Sequence, residues 1–356
     1  MVDRTQLLAF VAVLGTCIAG GSLECGRRVQ TPAQARGAEL YGRMCAVCHG
    51  ASGEGYKADQ APTLRHPEFL ATVTDEFLRA AITRGRGGTT MSAWGTERGG
   101  PLGRADVDAV IAFLRTWQTR PRLQLDERTT TGDAQRGETT FTRECAKCHG
   151  AHGIGGPQLG IGNPELLSLA PNGFLRQAIR YGRAGTPMPA FGASLGDAAV
   201  EDEIALLRAW QPGSPPTPPP APARPPPIPL GPVPLNPKGP EPVGFKTHPT
   251  TTPADVIHHE LERGAKMAIL DARAPSDYLN DHIKGAVSVP FYEPDPYFKD
   301  LPKDAWLVCY CACPHAESSS LAAKLVAKGF TKVTVLDEGL GVWRTKKYGT
   351  KQGIDP

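Results

Sequence analysis

Cys45-Ala46-Val47-Cys48-His49 returns one hundred residues later as Cys145-Ala146-Lys147-Cys148-His149. Two thiols three positions apart lie on one helical turn, where both can bond to the vinyl groups along one edge of a haem. The adjacent imidazole then faces the iron. A single copy would also suit a redox dithiol or part of a zinc site, or arise by chance. Two copies inside a duplicated segment favour two covalently attached haem c groups, held by Cys45 and Cys48 and by Cys145 and Cys148, with His49 and His149 as axial ligands.

The duplication is legible well beyond the motif. Ala35-Arg36-Gly37 precedes the first copy as Gln135-Arg136-Gly137 precedes the second, and Phe77-Leu78-Arg79-Ala80-Ala81-Ile82 corresponds to Phe174-Leu175-Arg176-Gln177-Ala178-Ile179. Arg86-Gly87-Gly88-Thr89-Thr90-Met91-Ser92-Ala93-Trp94-Gly95 matches Arg183-Ala184-Gly185-Thr186-Pro187-Met188-Pro189-Ala190-Phe191-Gly192, and each copy closes on an apolar helix ending at Trp117-Gln118 or Trp210-Gln211. A period this long signals tandem domains, not stacked solenoid units.

Met is ordinarily core filler. Here Met91 and Met188 sit in matching Gly- and Pro-rich loops, 42 and 39 residues after their His, in a chain with only 5 Met. They are the candidates for the sixth iron ligand. A thioether favours ferrous iron and fills the position O2 would need, which suits an electron carrier.

These features resemble class I c-type cytochrome domains, like those fused to or associated with haem-copper oxidases. The expected boundaries are 33–120 and 132–211. The resemblance implies that a Gly-Pro-x-Leu element offers a Pro carbonyl to the far nitrogen of the axial His; it is seen as Gly156-Pro157-Gln158-Leu159 and more weakly as Ala61-Pro62-Thr63-Leu64. Arg84, Arg86, Arg180 and Arg183 are either haem-propionate partners or solvated surface residues. His66 and His152 also invite a ligand reading; His152, three residues after an assigned ligand in a Gly-rich turn, is not expected to be one. A redox partner protein, donor or terminal oxidase, is implied.

Covalent haem attachment of this kind takes place outside the cytoplasm, so a periplasmic location is expected. Leu7 to Ala19 is an apolar stretch of signal-peptide length, too short for a comfortable membrane span. Residues 1–24 therefore read as a signal peptide, a lipoprotein signal ending at Cys17, or an N-terminal anchor. The 356 residues carry 39 Lys and Arg against 36 Asp and Glu, a net charge of +3 that implies no basic face for nucleic acid.

From Pro212 to Pro242, 16 of 31 residues are Pro. Such a segment favours polyproline II and, extended, would reach roughly 90 Å. Residues 212–244 are expected to be a semi-rigid linker that leaves the orientation of the flanking domains open.

Residues 245–356 change texture. A helix is expected from Thr252-Pro253 to Arg263, strands at Met267–Asp271, Trp306–Cys311 and Val333–Leu336, and a helix from Ser318 to Lys328. Strands alternating with helices predict an α/β domain on a parallel sheet, with functional loops at the strand C-termini. Cys311-Ala312-Cys313-Pro314-His315-Ala316-Glu317 falls at such an end, directly before a helix. Helix N-termini lower thiol pKa values and cradle anions.

This segment resembles a rhodanese domain: Leu270-Asp271-Ala272-Arg273, Tyr278, His282-Ile283-Lys284-Gly285-Ala286 and Pro290 match its first signature, and Val335-Leu336-Asp337-Glu338-Gly339-Leu340 with Trp343 its closing one. The resemblance makes Cys311 the nucleophile toward a sulfane-sulfur donor such as thiosulfate. Cys313 is open as resolving thiol, alternative nucleophile or, with His315, metal ligand. Glu317 stands where many rhodaneses carry a base and opposes an anionic donor. The loop has phosphatase length without the phosphatase Arg, so phosphatase chemistry is not expected. The chain thus reads as an exported dihaem cytochrome c, two all-α domains, tethered to a rhodanese-like sulfurtransferase domain. The alternative is a pure electron shuttle whose rhodanese-like part is a non-catalytic docking module.

Overall fold

The computed structural model describes residues 30–58, 61–86, 89–183, 186–211, 232–312 and 314–356. The expected signal segment, most of the Pro-rich linker and Cys313 lie outside the described residues. No helix among those described is long and apolar enough to cross a membrane.

The N-terminal half is helical and the C-terminal part is an α/β domain on a parallel sheet. In the first helical unit, α1 (Pro32–Met44) runs into the short α2 (Ala46–His49), followed by α3 (Pro67–Thr72), α4 (Asp75–Arg84) and α5 (Arg104–Leu114). The second repeats the order with α6 (Ala134–Glu144), α7 (Ala146–His149), α8 (Pro164–Leu169), α9 (Asn172–Tyr181) and α10 (Gly192–Ala209). Thr31 caps α1 in a reciprocal box with Gln34, and Asp133 caps α6 by accepting from the Arg136 N–H.

The first and last helices of each unit cross at a glycine. A Cβ on Gly37 would stand 1.9 Å from the Ala109 carbonyl oxygen, and one on Gly137 2.3 Å from that of Asp202. Only a bare backbone lets these helices approach so closely, which explains why both glycines stand at the same place before the two motifs. Another repeated pair pins the last helix to the third: Arg115 donates to the carbonyls of Leu70 and Val73 at 2.6 and 2.7 Å, while Arg208 donates to those of Leu167 and Ala170.

The two helical units pack on each other. Phe77 meets Phe174 at 5.3 Å between ring centroids, and the buried Arg183 guanidinium lies over Phe69 and Phe174 at 5.5 and 5.2 Å. The connecting segment lies against the second unit, where Arg176 pairs with Glu201 at 2.6 Å with both side chains nearly fully buried.

In the C-terminal domain, β1 (Thr251–Thr252), β2 (Met267–Asp271), β4 (Ala286–Ser288), β5 (Trp306–Tyr310) and β6 (Val333–Leu336) form a sheet in the order β1-β6-β5-β2-β4, every pair parallel; β3 (His282–Ile283) and β7 (Thr350–Lys351) make a small antiparallel pair. Helices α11 (Ala254–Glu262), α12 (Pro275–Asn280), α13 (Ala316–Ala327) and α14 (Gly339–Thr345) complete it. The central strands are buried along their length, as the apolar runs of a covered parallel sheet require. The expected strand at Trp306 ends one residue early, at Tyr310, and the following helix begins two residues early, at Ala316.

Composition leaves the orientation of the domains open, and here the structure adds what composition does not carry. Asn236 donates to the Gly264 carbonyl at 2.7 Å, Lys266 N–H donates to the Pro240 carbonyl at 2.8 Å, and Lys332 pairs with Glu241 at 2.8 Å. The end of the Pro-rich stretch is thus fastened to the α/β domain, and that domain packs on the first helical unit. Hydrogen-bonding partners elsewhere in the chain, not Pro content, decide this.

Candidate functional site

In both repeats the Cys-x-x-Cys-His motif forms the turn between the first helix and its short successor. Cys45 and Cys145 cap the first helix, their N–H groups donating to Tyr41 and Phe141 carbonyls, and His49 and His149 end the following turn. None of the four cysteines is in a disulfide, and all are partly exposed. Burial pushes the Cys45 and Cys145 thiols up to about 12.

His49 is 8% exposed and His149 9%. Desolvation pushes both imidazoles below their ordinary value, toward the neutral form. His49 Nδ1–H donates to the Pro62 carbonyl at 2.9 Å, as the family pattern implies. His149 Nδ1–H donates instead to the Leu159 carbonyl at 2.7 Å, two residues beyond the expected Pro157. The second loop is shorter: its Gly162 N–H closes on the Gly153 carbonyl, where the first closes Leu64 on Gly53. The carbonyl opposite the ring therefore comes from Leu159. In both units burial favours the neutral imidazole and a backbone acceptor holds Nδ1, so Nε2 is the nitrogen that would be available to a metal.

Met91 and Met188 occupy equivalent turns. Arg86 N–H donates to the Met91 carbonyl at 3.1 Å and Arg183 N–H to that of Met188 at 3.0 Å, while Thr89 and Thr186 hydroxyls accept from the two Met N–H groups at 3.2 Å. The helix before each loop ends on a left-handed glycine, Gly85 at φ +70° and Gly182 at φ +61°, whose missing Cβ leaves room for the Met carbonyl at 2.5 and 2.6 Å.

The residues present fit a covalently held haem. Two thiols outside any disulfide, a His whose Nδ1 is held by a backbone carbonyl, and a Met turn recur in both units. Arg180 adds a buried Nε without a hydrogen-bond partner, which suits a carboxylate, although its Nη2 pairs with Asp197 at 2.8 Å. Arg86 instead lies over the Phe77 ring at 4.6 Å and Arg183 bridges the two units, so neither is a plain solvated surface residue. His152 has φ +54° and stands edge-on to Trp210 at 6.0 Å between ring centroids.

In the α/β domain Cys311 follows the C-terminal end of β5, fully buried, with Sγ 3.3 Å from the Ser318 hydroxyl on α13. The β2–β5 register sets Asp271 beside Tyr310, whose hydroxyl donates to Asp271 at 2.5 Å; Arg273 grips the same carboxylate at 2.6 Å. His315 Nε2 lies 2.9 Å from Asp337 Oδ1, so His315 faces the β6 end. No cluster of three or more His, Cys, Asp and Glu suited to a metal ion occurs among the described residues. Glu317 departs from its expected role. It is buried, and burial, reinforced by the negative charge of Cys311 and Asp277, pushes its carboxyl well above the ordinary range. That shift favours the neutral carboxyl, which opposes an anionic donor less than an exposed carboxylate would.

Two features escaped sequence reading. Glu203 on α10 is buried at the position that Val110 fills in the first unit, and laying the two repeats side by side would have exposed the mismatch. Ser92, after Met91, hydrogen-bonds across to the α/β domain; nothing local in the sequence announces a contact 185 residues away.

Comparison with known proteins adds two family matches. The cytochrome c oxidase, cbb3-type, subunit III family model matches residues 32–114 and 132–206, and the rhodanese-like domain model matches residues 254–346. The cbb3-type cytochrome c oxidase subunit CcoP of Azospirillum brasilense is 33% identical over 187 residues, 48% of this chain and 59% of that protein. The chain therefore spans less than two thirds of that relative. The thiosulfate sulfurtransferase GlpE of Pseudomonas fluorescens is 37% identical over 94 residues, 26% of this chain and 83% of that protein. The solved rhodanese-like domain of an Anabaena sp. protein shares 31% identity over 29% of this chain and 80% of that one, with a TM-score of 0.27.

Proposed function

From a chain whose C-terminal domain belongs to the rhodanese-like family and whose N-terminal half consists of cbb3-type cytochrome c domains, we propose a dihaem electron carrier with a tethered sulfur-handling domain. Cytochrome c domains carry covalently bound haem c, which supplies one-electron chemistry. The count of two rests on the twice-built site, above all on the two axial His side chains, each held at Nδ1 by a backbone carbonyl. Cys45, Cys48, Cys145 and Cys148 attach the groups. His49 with Met91 and His149 with Met188 would ligate them, and a haem so held would supply one-electron transfer without an open position for O2.

The CcoP relative is named for a terminal oxidase, which supports an oxidase-type redox partner for this chain. The apolar N-terminal stretch and the chemistry of haem attachment support export to the periplasm, with a lipid on Cys17 or an N-terminal anchor as the means of membrane attachment.

In the rhodanese-like domain, the Cys311 thiolate attacks the outer sulfur of thiosulfate; the sulfur–sulfur bond breaks, sulfite leaves, and a persulfide remains for transfer to a thiol or cyanide. Its place at the strand C-terminus before α13 and the GlpE relative support this reading. Full burial of Cys311 favours the second reading, a docking module without catalysis. Thiosulfate:cyanide transfer separates the two: activity lost in Cys311→Ser supports sulfur transfer, and no activity with the intact chain supports docking.

The carrier reading is tested by the ferric absorption spectrum. Met91→Ala and Met188→Ala should each remove about half of the long-wavelength charge-transfer band that Met ligation gives, one site of two. A high-spin spectrum in the unaltered protein would overturn it.

A further inference from the structure

The α/β domain holds the first Met turn by the three residues that follow Met91. Ser92 Oγ donates to Asp277 Oδ2 at 2.5 Å, and Ser276 Oγ donates to the Ala93 carbonyl at 2.7 Å. Trp94 stands edge-on to Tyr292 at 5.6 Å between ring centroids. Ser92 and Trp94 are 4% and 6% exposed, Ser276 2% and Tyr292 7%. Elsewhere on the same unit, Arg43, two residues before Cys45, reaches Glu293 at 3.5 Å, and α2 packs against α13. The contact thus straddles the Cys-x-x-Cys-His turn and the Met turn of one unit.

The second unit is an internal control. Its equivalent residues are Pro189, Ala190 and Phe191. Proline has neither a hydroxyl to donate nor an N–H, and Pro189 and Ala190 are exposed where Ser92 is buried. The two Met turns share their internal hydrogen bonds yet differ in what lies outside them.

We infer that Ser276 and Asp277 are positioning residues for Met91: the rhodanese-like domain clamps the sixth-ligand turn of the first cytochrome domain and leaves that of the second unclamped. The inference rests on the reading of Met91 as an iron ligand. A thioether is a weak ligand, and residues that orient a ligand from outside typically change its hold on the metal by about 10–100-fold. Two hydrogen bonds and an aromatic contact over three consecutive residues fix the turn that carries Met91. The opening of this turn, which exposes the sixth position, must then break contacts with another domain. The Met188 turn, whose base residue Arg183 meets Phe69 of the first unit, has no such hold from the α/β domain among the described residues.

The test uses the full-length haem-loaded protein in a Met188→Ala background, so that the charge-transfer band reports the first site alone. Exogenous imidazole competes with Met91, and its rate of binding to the ferric first site measures how often the turn opens. Ser92→Ala and Asp277→Ala should each raise that rate by about 10–100-fold, and Asp277→Asn, which keeps an acceptor oxygen for Ser92, should restore most of it. Ser276→Ala, a change at one hydroxyl that leaves Asp277 in place, should raise it as well. The same substitutions in a Met91→Ala background should leave imidazole binding at the Met188 site unchanged. Equal rates in the parent and in all three alanine variants would overturn the clamp while leaving the ligand reading intact. If Met91→Ala itself leaves the band unaltered, the ligand reading fails, and the clamp with it.

Discussion

Glu203 makes the second cytochrome domain depend on pH in a way that the first cannot. Its carboxyl is 2% exposed and its Oε1 has no hydrogen-bond partner. Burial first, then the negative charges of Glu138 and Asp202, push it up to about 8 from an ordinary 4.5, against a small opposing pull from Arg143. The folded domain therefore binds this proton more tightly than the unfolded chain does. Below the ordinary value both states are protonated and no stability is lost; as pH rises toward 8 the unfolded carboxyl ionises freely while the folded one cannot, and stability falls. At about 1.4 kcal/mol per tenfold change in proton affinity, the ceiling is ~5 kcal/mol. Local relaxation and water entry should reduce the measured loss to roughly 2–3 kcal/mol. Glu203→Val installs the residue that the first unit carries at Val110. Hydrogen exchange of the α10 amides, read against α5 as an internal standard, should show opening free energies higher by that amount in the variant at about pH 8 and similar to the parent at about pH 5. An equal difference at both pH values would show that Glu203 acts by packing alone and would refute the argument.

Other expectations follow from the same packing. Arg176→Ala should destabilise the second domain by about 3 kcal/mol, since the buried Glu201, held down to about 2 chiefly by Arg176, keeps only the half-exposed Arg128 as a charged partner; denaturant unfolding of the haem-loaded chain measures it. Gly37→Ala should cost about 2–3 kcal/mol or more, because the added methyl meets the Ala109 backbone and not a side chain that can turn away. Gly137→Ala should do the same in the second unit, and thermal unfolding followed at the haem band checks both. Asp271→Ala should be as severe in the rhodanese-like domain, stranding the buried Arg273 guanidinium, and is read in the near-ultraviolet dichroism of the aromatic residues there.

The sequence made the two motifs, their duplication and the α/β alternation legible because each is a local signal, whether spacing on a turn, an internal repeat or a run of apolar residues. The strand over Met267–Asp271 and the placement of Cys311 at a strand end follow from such patterns. What escaped depends on distance in the chain. Leu159 in place of Pro157 at His149 follows from where a loop closes, and loop closure is set by a hydrogen bond from Gly162 to Gly153. Residue type alone predicts an anion at Glu317, whereas its burial favours the neutral carboxyl. Ser92 and Asp277 lie in separate domains, and no periodicity couples them.

The most direct test of the central claim is the haem stoichiometry of the chain expressed in an exporting host, by pyridine haemochrome against peptide concentration. Two haems per chain are expected, falling to one in Cys45→Ser/Cys48→Ser and to one in Cys145→Ser/Cys148→Ser. A single haem in the unaltered chain, or no loss in either double variant, would contradict it.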